Sequence, residues 1–360
     1  MAEYLKDNAA DFSVVSVVSH FSEGIAPSCK YYVEGKLRKD FKLLSFRFPA
    51  SFGILNQMMD AISICHAFLR LRRKFEIYIG TGQLYTFVGL FLKKMGFFKK
   101  VVYYSGDYFE SVKLLKALDA IDVRFADAVW NSSQAMIEAR KKNNLQGKKN
   151  APSLVFRLGV RMPQAGFYEN KYDSNDIAFI GNLQKRHGLD LFLDIFPELI
   201  KEFPDLRLNI IGKGSYEKDL KIRIRQLGVD NNVVFHGFVA EEEDLDKIFS
   251  KCSLGLALYE KEEGCPTKYA DPGKIKDYLA HGLPVIMTDI SEIAREVHSY
   301  GSGLVIGYSR QELKAALLSF LRNRQLICEF GRNAARLAAE YTWDKILDGV
   351  FSQTLAIWAN

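Results

Sequence analysis

Nowhere in its 360 residues does the chain hold the roughly 18 consecutive apolar residues that a membrane-crossing helix requires. No transmembrane helix is expected. Cysteines are few and scattered: Cys29, Cys65, Cys252, Cys265 and Cys328 are odd in number and none stands in Cys-x-x-Cys spacing, which argues against a disulfide framework and against a zinc site. The opening Met-Ala-Glu-Tyr-Leu-Lys-Asp puts acids where a secretion leader is basic, so a cytoplasmic location is expected. Metal-ligating patterns are missing from usable places as well. Asp119-Ala-Ile-Asp122 falls inside a helical pattern and reads as its solvated face, so neither a metal nor a resident cofactor is expected.

What is present is a globular composition, 48% apolar and 26% charged, on a chain long enough for two ordinary domains. Charge is divided unevenly. Residues 1–170 carry 25 Lys and Arg against 15 Asp and Glu, whereas residues 171–360 carry 24 against 28. The basic excess of the first half suits either a solvated basic face or an anionic partner such as a membrane surface, nucleic acid or an acidic acceptor.

Apolar runs alternate with helical patterns from end to end. Strands are expected at Phe12–Val18, Phe41–Arg47, Phe75–Ile79, Val101–Tyr104, Ala128–Asn131 and Leu154–Arg157, then at Ile177–Ile180, Leu206–Ile211, Val233–His236, Leu254–Leu258, Pro284–Thr288 and Leu304–Ile306. Repeated βα units imply parallel sheets covered on both faces, here two of them. The alternation breaks between Gly159 and Asp176, which places a domain of residues 1–168 before one of residues 169–342. Thr342-Trp-Asp344 then opens a last amphipathic helix.

The most informative stretch is Asp271-Pro-Gly-Lys-Ile-Lys-Asp277-Tyr-Leu-Ala-His-Gly-Leu-Pro-Val-Ile-Met-Thr-Asp289. Pro272 and Gly273 permit a turn that starts a helix, and Gly282 ends it before a buried strand. Lys274 falls in the first turn, where free backbone N–H groups, the helix dipole and an ammonium together favour an anion such as a diphosphate. Asp277 lies one turn on, on the same face, placed to accept hydrogen bonds from a ribose diol.

This stretch resembles the donor-site signature of the retaining GT-B glycosyltransferases, in the form Pro-x-Lys, an acid, Tyr-Leu-Ala and Gly-x-Pro-Val. The resemblance implies an α/β chain of GT-B fold: two doubly wound Rossmann-like domains facing a central cleft, with helix 343–360 packing back onto the first. It also assigns roles. Gly181-Asn182-Leu-Gln-Lys185-Arg186-His187 matches a diphosphate-binding loop, with Asn182 and His187 standing where the family carries Arg and Lys. Gly212-Lys213-Gly214 and Phe238 match segments near the nucleotide, and Gly273, Lys274 and Asp277 complete the donor set. Gly24, after the first strand, matches a backbone approach to the diphosphate. The family's first acid of a Glu pair corresponds to Tyr269 here, so Glu263 of the acidic loop 259–269 is the expected substitute near the sugar. Asp107, closing the fourth strand, stands near the place of a sugar-contacting His; it suits a base or a helix cap. Asp107, Glu263 and Lys274 are thus the catalytic candidates.

The expected activity is transfer of a sugar from a nucleoside diphosphate sugar, with UDP or GDP as the nucleotide, to a hydroxyl of a glycan, lipid-linked or small-molecule acceptor. Retention of configuration follows from the resemblance, and independence of metal is expected because cationic side chains and a helix N-terminus stand in for a divalent cation. An epimerase or hydrolase of the same fold, or a nucleotide-sugar-binding module without turnover, stays open at this stage. Nucleic acid is not expected as a partner. Phe68-Leu-Arg-Leu-Arg-Arg-Lys-Phe75 and Gly89–Lys100, with Lys93, Lys94, Lys99 and Lys100, pair apolar and basic residues in the way of a segment lying on an anionic membrane, or pack their apolar members into the core.

Overall fold

The computed structural model describes residues 13–18, 27–44, 46, 48, 53–108, 113–143, 150–163, 172–260 and 269–359. Two compact units make up the chain: Met1–Arg157 with Leu347–Asn360, and Leu158–Ile346.

In the first unit β1 (Ser13–Val18), β2 (Ser28–Val33) and β3 (Lys36–Lys42) form an antiparallel meander in that order. Parallel βα repetition was expected from the first strand, and the difference has a local cause. Glu34 and Gly35 take φ of 51° and 70°, the two-residue turn whose twist suits adjacent antiparallel strands. Among the described residues of the strand expected at Phe41–Arg47, Phe41 and Lys42 are extended, as the end of β3. From α1 (Gly53–Leu71) onward the expected alternation holds. The parallel sheet β4 (Phe75–Thr81), β5 (Phe98–Ser105), β6 (Ala128–Asn131), β7 (Ser153–Val155) is followed strand by strand by α2 (Gln83–Lys94), α3 (Lys113–Phe125) and α4 (Gln134–Lys142).

The second unit is a doubly wound sheet. Its elements are β8 (Asp176–Ile180), α5 (Leu189–Leu193), α6 (Phe196–Glu202), β9 (Arg207–Ile211), α7 (Glu217–Leu227), β10 (Val233–Gly237), α8 (Glu242–Phe249) and β11 (Leu254–Ala257). They continue with α9 (Gly273–Ala280), β12 (Val285–Thr288), α10 (Ile293–Ser299), β13 (Gly303–Ile306), α11 (Arg310–Leu321) and α12 (Arg324–Ala338). All strand pairs are parallel and the order is β10-β9-β8-β11-β12-β13, so the sheet reverses direction between β8 and β11. Ligands of such sheets bind beyond the carboxyl ends of the strands at this reversal. Strands buried on both faces, such as Leu254–Ala257 and Val285–Thr288, are the uninterrupted apolar runs seen in the sequence.

A final helix, α13 (Trp343–Ala359), belongs to the first unit from Leu347 on. There the Trp130 indole donates to the Thr354 hydroxyl at 2.9 Å, and the Trp358 indole donates to the Asp127 carbonyl at 3.0 Å.

One expectation about the first unit is overturned. Asp119 and Asp122 are not on a solvated face; they are 1% and 0% exposed. Arg140 of α4, also fully buried, donates to Asp119 and to the Ser105 hydroxyl at 2.8 Å, while the Tyr103 hydroxyl donates to Asp119 at 2.6 Å. One guanidinium thus faces two carboxyls and pairs with one. Asp122 makes no hydrogen bond, and burial beside the Asp119 charge pushes its carboxyl up to about 9. At neutral pH it is a buried neutral acid. Between about pH 4 and about pH 9 the folded chain therefore holds a proton that the unfolded chain lacks, and stability falls as pH rises through that window. Asp122→Asn removes the titration while keeping the shape. Urea midpoints of both proteins at about pH 5 and about pH 8 should show the variant gaining roughly 1–3 kcal/mol on the parent at the higher pH. An unchanged difference would mean that Asp122 is ionised in the folded state.

Candidate functional site

The loops after β8, β9 and β10 lie side by side at the carboxyl edge of the second sheet. The Gly181 N–H donates to Ile211 O at 2.9 Å, Leu183 N–H to Lys213 O at 2.9 Å, and Gly212 N–H to Gly237 O at 2.7 Å. Such close approach excludes a side chain. A Cβ at Gly212 would lie 2.0 Å from Gly181 O, and at a φ of 132° no other residue is at ease. The loop after β11 joins them through Glu260 N–H to Arg186 O at 3.0 Å, so the four loops meet where the strand order reverses.

Lys274 enters this edge from the first turn of α9. Its ammonium is closed off from solvent and has no hydrogen-bond partner. Instead it stands 4.6 Å from the Phe179 ring centroid and 4.5 Å from that of Tyr259, and a Cβ built at Gly181 would be 3.5 Å from it. Aromatic faces attract a cation but do not replace water or a counter-ion. Burial accordingly pushes the Lys274 ammonium down to about 7. Tyr259 is held by its main chain: its N–H donates to the Thr288 hydroxyl, which donates back to the Tyr259 carbonyl, each at 2.9 Å.

His187 is the second group affected. It ends the short 3-10 turn Lys185–His187, its Nδ1 lies 2.5 Å from Asn182 O, and its ring packs edge-on against Tyr259 at 5.4 Å. A carbonyl only accepts, so Nδ1 carries the hydrogen and Nε2 is an acceptor. Burial and the Lys274 ammonium push His187 down to about 4, which makes it neutral at pH 7. Arg186 adds a half-buried guanidinium whose Nε also has no partner, and Lys185 is exposed beside it.

The structure therefore brings Gly181, Asn182, Lys185, Arg186, Gly212, Gly214, Gly273 and Lys274 to one edge of the second unit. Phe238 follows β10 at the same edge and is 56% exposed. Asp277 shares α9, but its charged neighbours are Glu242, Lys276 and Arg161 rather than Lys274; burial and the Glu242 charge push its carboxyl up to about 6. Asp107 lies in the first unit, exposed after β5, its carbonyl accepting from the Ser105 hydroxyl at 3.2 Å. Gly24 and Glu263 lie outside the described residues. Sequence reasoning left Phe179, Tyr259 and Lys213 unassigned. Phe179 read as strand core and Tyr259 as part of an acidic loop, whereas Lys213, exposed near Gly237, was visible inside its Gly-x-Gly.

A second ion pair keeps α9 in place. Lys276, 1% exposed, pairs with Asp271, whose carboxylate also accepts from Leu158 N–H at 2.7 Å; Lys276 donates to Leu158 O at 2.5 Å as well. The acid just before the helix is thereby committed to Lys276.

Residues 174–323 match the family described as glycosyl transferases group 1. Mannosylfructose-phosphate synthase of Agrobacterium fabrum is 25% identical over 197 residues, 52% of this chain and 40% of that protein, so the chain spans under half of that relative. Among solved structures, sucrose-phosphate synthase of Thermosynechococcus elongatus superposes with a TM-score of 0.70 at 14% identity, covering 88% of this chain and 83% of the other. HepE of Anabaena, solved with UDP and glucose, gives 0.66 at 17% identity over 87% and 84%. The fold is GT-B, as the sequence resemblance implied. In sequence it is the second unit, where the buried ammonium lies, that resembles the group 1 glycosyl transferases.

An unpaired buried ammonium has a measurable signature. Because the Lys274 ammonium is depressed, the unfolded chain binds a proton between about pH 7 and about pH 10 that the folded chain lacks, so stability rises with pH across that range. Lys274→Met, apolar and of similar length, should stabilise the protein by roughly 2–4 kcal/mol at pH 7, and its advantage should shrink as pH rises. Denaturant titrations at about pH 7 and about pH 9.5 check this; a destabilised variant would show that Lys274 has a partner in solution.

Proposed function

We propose that the protein is a retaining glycosyltransferase that moves a sugar from a nucleoside diphosphate sugar to an acceptor hydroxyl. The observation that carries this reading is the Lys274 ammonium, held without an acceptor at the N-terminus of α9 beside the Gly181 and Gly212 loops. A buried cation of this kind is stabilised by an anion entering the site, and the first-turn N–H groups of α9 can donate to the same anion. The resemblance to group 1 glycosyl transferases supports reading that anion as the diphosphate of the donor.

In that reading the bond between the sugar C1 and the diphosphate oxygen breaks with its electron pair on the diphosphate, while the acceptor oxygen bonds to C1 and its proton passes to the departing diphosphate. Lys274, the α9 N-terminus, Arg186 and Lys185 take up the charge that develops there, which is preorganised electrostatic stabilisation. These groups supply the positive charge that a divalent cation supplies elsewhere, so turnover is proposed to be metal-independent. Lys213 and Phe238, on the loops after β9 and β10, are the residues proposed to meet the nucleoside, and Asp277 is proposed to meet the ribose. Asp107 of the first unit and Glu263 remain the proposed acids near the acceptor and the transferred sugar. The acceptor is a glycan, lipid-linked or small-molecule hydroxyl.

Calorimetric titration with UDP and GDP, and with their sugars, tests the placement. The parent should bind one nucleotide family in the presence of EDTA, and Lys274→Ala should weaken that binding by roughly 1.5–3 kcal/mol. If the variant bound both nucleotides as well as the parent does, the diphosphate would have to lie elsewhere.

A further inference from the structure

We propose that the outer face of α1 and α2 in the first unit seats on an anionic phospholipid surface. This goes beyond the transfer reaction and rests on a different part of the molecule. The residues concerned are those that the core leaves uncovered, some of them inside the stretches Phe68–Phe75 and Gly89–Lys100 and the others on the rest of the two helices. Phe68, Leu71, Leu92 and Phe98, candidates for a lipid-facing role, are 5% exposed or less and form the core of the first unit with Tyr78 and Val88. Three of the four lysines are also engaged: Lys93 and Lys100 with Asp127, Lys99 with Glu76.

Large apolar side chains nevertheless face water along both helices. On α1, Leu55, Met58, Ile62 and Leu69 are 38%, 52%, 46% and 51% exposed. At 100° per residue they fall within about 60° of arc, one stripe along the helix. On α2, Phe87 and Phe91 are 41% and 54% exposed, and Met95 just beyond its end is 51% exposed, again one stripe at a spacing of four. The helices are neighbours, the Tyr85 hydroxyl donating to Asp60 at 3.0 Å. Single exposed apolar residues are ordinary; a stripe of them on each of two neighbouring helices marks a contact surface.

Charge decides which contact. From residue 53 to residue 100 there are eight Lys and Arg and two acids, Asp60 and Glu76. Asp60 is half-buried and accepts from Tyr85, and Glu76 is paired with Lys99. At the ends of the two helices Arg72, Lys74 and Lys94 are exposed. A face of Phe, Met, Leu and Ile side chains edged by cations, with no unengaged acid on the two helices, complements an anionic headgroup layer over a hydrocarbon boundary.

The test is co-sedimentation of the full chain with phosphatidylcholine vesicles, with and without phosphatidylglycerol. The parent should partition onto the anionic vesicles alone, and salt should release it. Replacing Phe87, Phe91 and Met95 together by Ser should lower partitioning about tenfold or more, with the thermal midpoint as the control for folding. Phe91→Trp should shift its fluorescence to the blue when anionic vesicles are added. No binding to either lipid overturns the proposal, as does binding that the triple variant retains, which would be charge attraction alone. Lipid-free self-association abolished by the triple variant also overturns it, making this face an interface between copies. None of these readouts involves nucleotide, so they stand apart from the proposed transfer reaction.

Discussion

An ammonium shut away from water without a carboxylate is the constraint around which the second unit is arranged. Lys274 and Lys276 stand two positions apart on α9, both with their ammonium groups buried, yet only Lys276 has an ion-pair partner. Asp271 is engaged by Lys276 and by the Leu158 main chain, so the acid that precedes the helix is withheld from Lys274. The cost of leaving a charge in this state is large enough that the group loses its proton more readily instead. That cost is the counterpart of binding: an arriving anion recovers the desolvation that folding imposed. The glycines at 181 and 212 belong to the same arrangement, because without the contact between their loops the edge would open to water and the ammonium would be solvated.

The first unit uses the same side-chain types to the opposite end. Arg140 is as buried as any cation in the chain, but it is surrounded by Asp119, Asn131, Ser105 and Tyr103, with no free donor directed at a ligand. The surplus acid, Asp122, is accommodated by protonation. A buried pair of this kind adds little net stability compared with an apolar core, though breaking it leaves an uncompensated charge. Burial of a charge alone thus does not mark a functional site; what separates Lys274 from Arg140 is whether its hydrogen-bonding capacity is already filled.

How much of this could be read beforehand depends on whether the signal is local. The central strands of the second unit, such as Ile177–Ile180, Leu254–Leu258 and Pro284–Thr288, were legible because a strand buried on both faces needs a continuous apolar run. The donor loops were legible because glycines and cations sit at strand ends. Ser28–Val33 was missed, since Ser-Cys-Lys-Tyr-Tyr-Val has mixed polarity and its pairing is settled by the turn at Glu34–Gly35. Asp119 and Asp122 were misread because Arg140, which pairs with Asp119, is a helix and a strand away, and because Asp122 lies inside without a partner by keeping its proton. The isolation of Lys274 was equally out of reach. A sequence places a lysine in a first turn, but the absence of an acceptor is a property of every neighbour at once.

Net charge and local potential are separate quantities here. The half of the chain that holds Lys185, Arg186, Lys213 and Lys274 carries fewer bases than acids, 24 against 28 from residue 171 onward. Its electropositive edge is therefore made by position: four cations and the N-terminus of α9 lie along the carboxyl edge of one sheet, while acids such as Asp190, Asp194 and Glu217 are paired with Arg223 and Lys221. A low-dielectric rim focuses such a field on a small anion. The first half has the reverse construction, with 25 bases against 15 acids and no comparable convergence of unpaired buried cations among the described residues. A diffuse excess suits an extended anionic surface better than a single phosphate group, since each weakly screened lysine or arginine acts independently and adds to its neighbours. The two anion contacts proposed above would therefore draw on different constructions, one on a buried point charge and one on a spread of exposed ones.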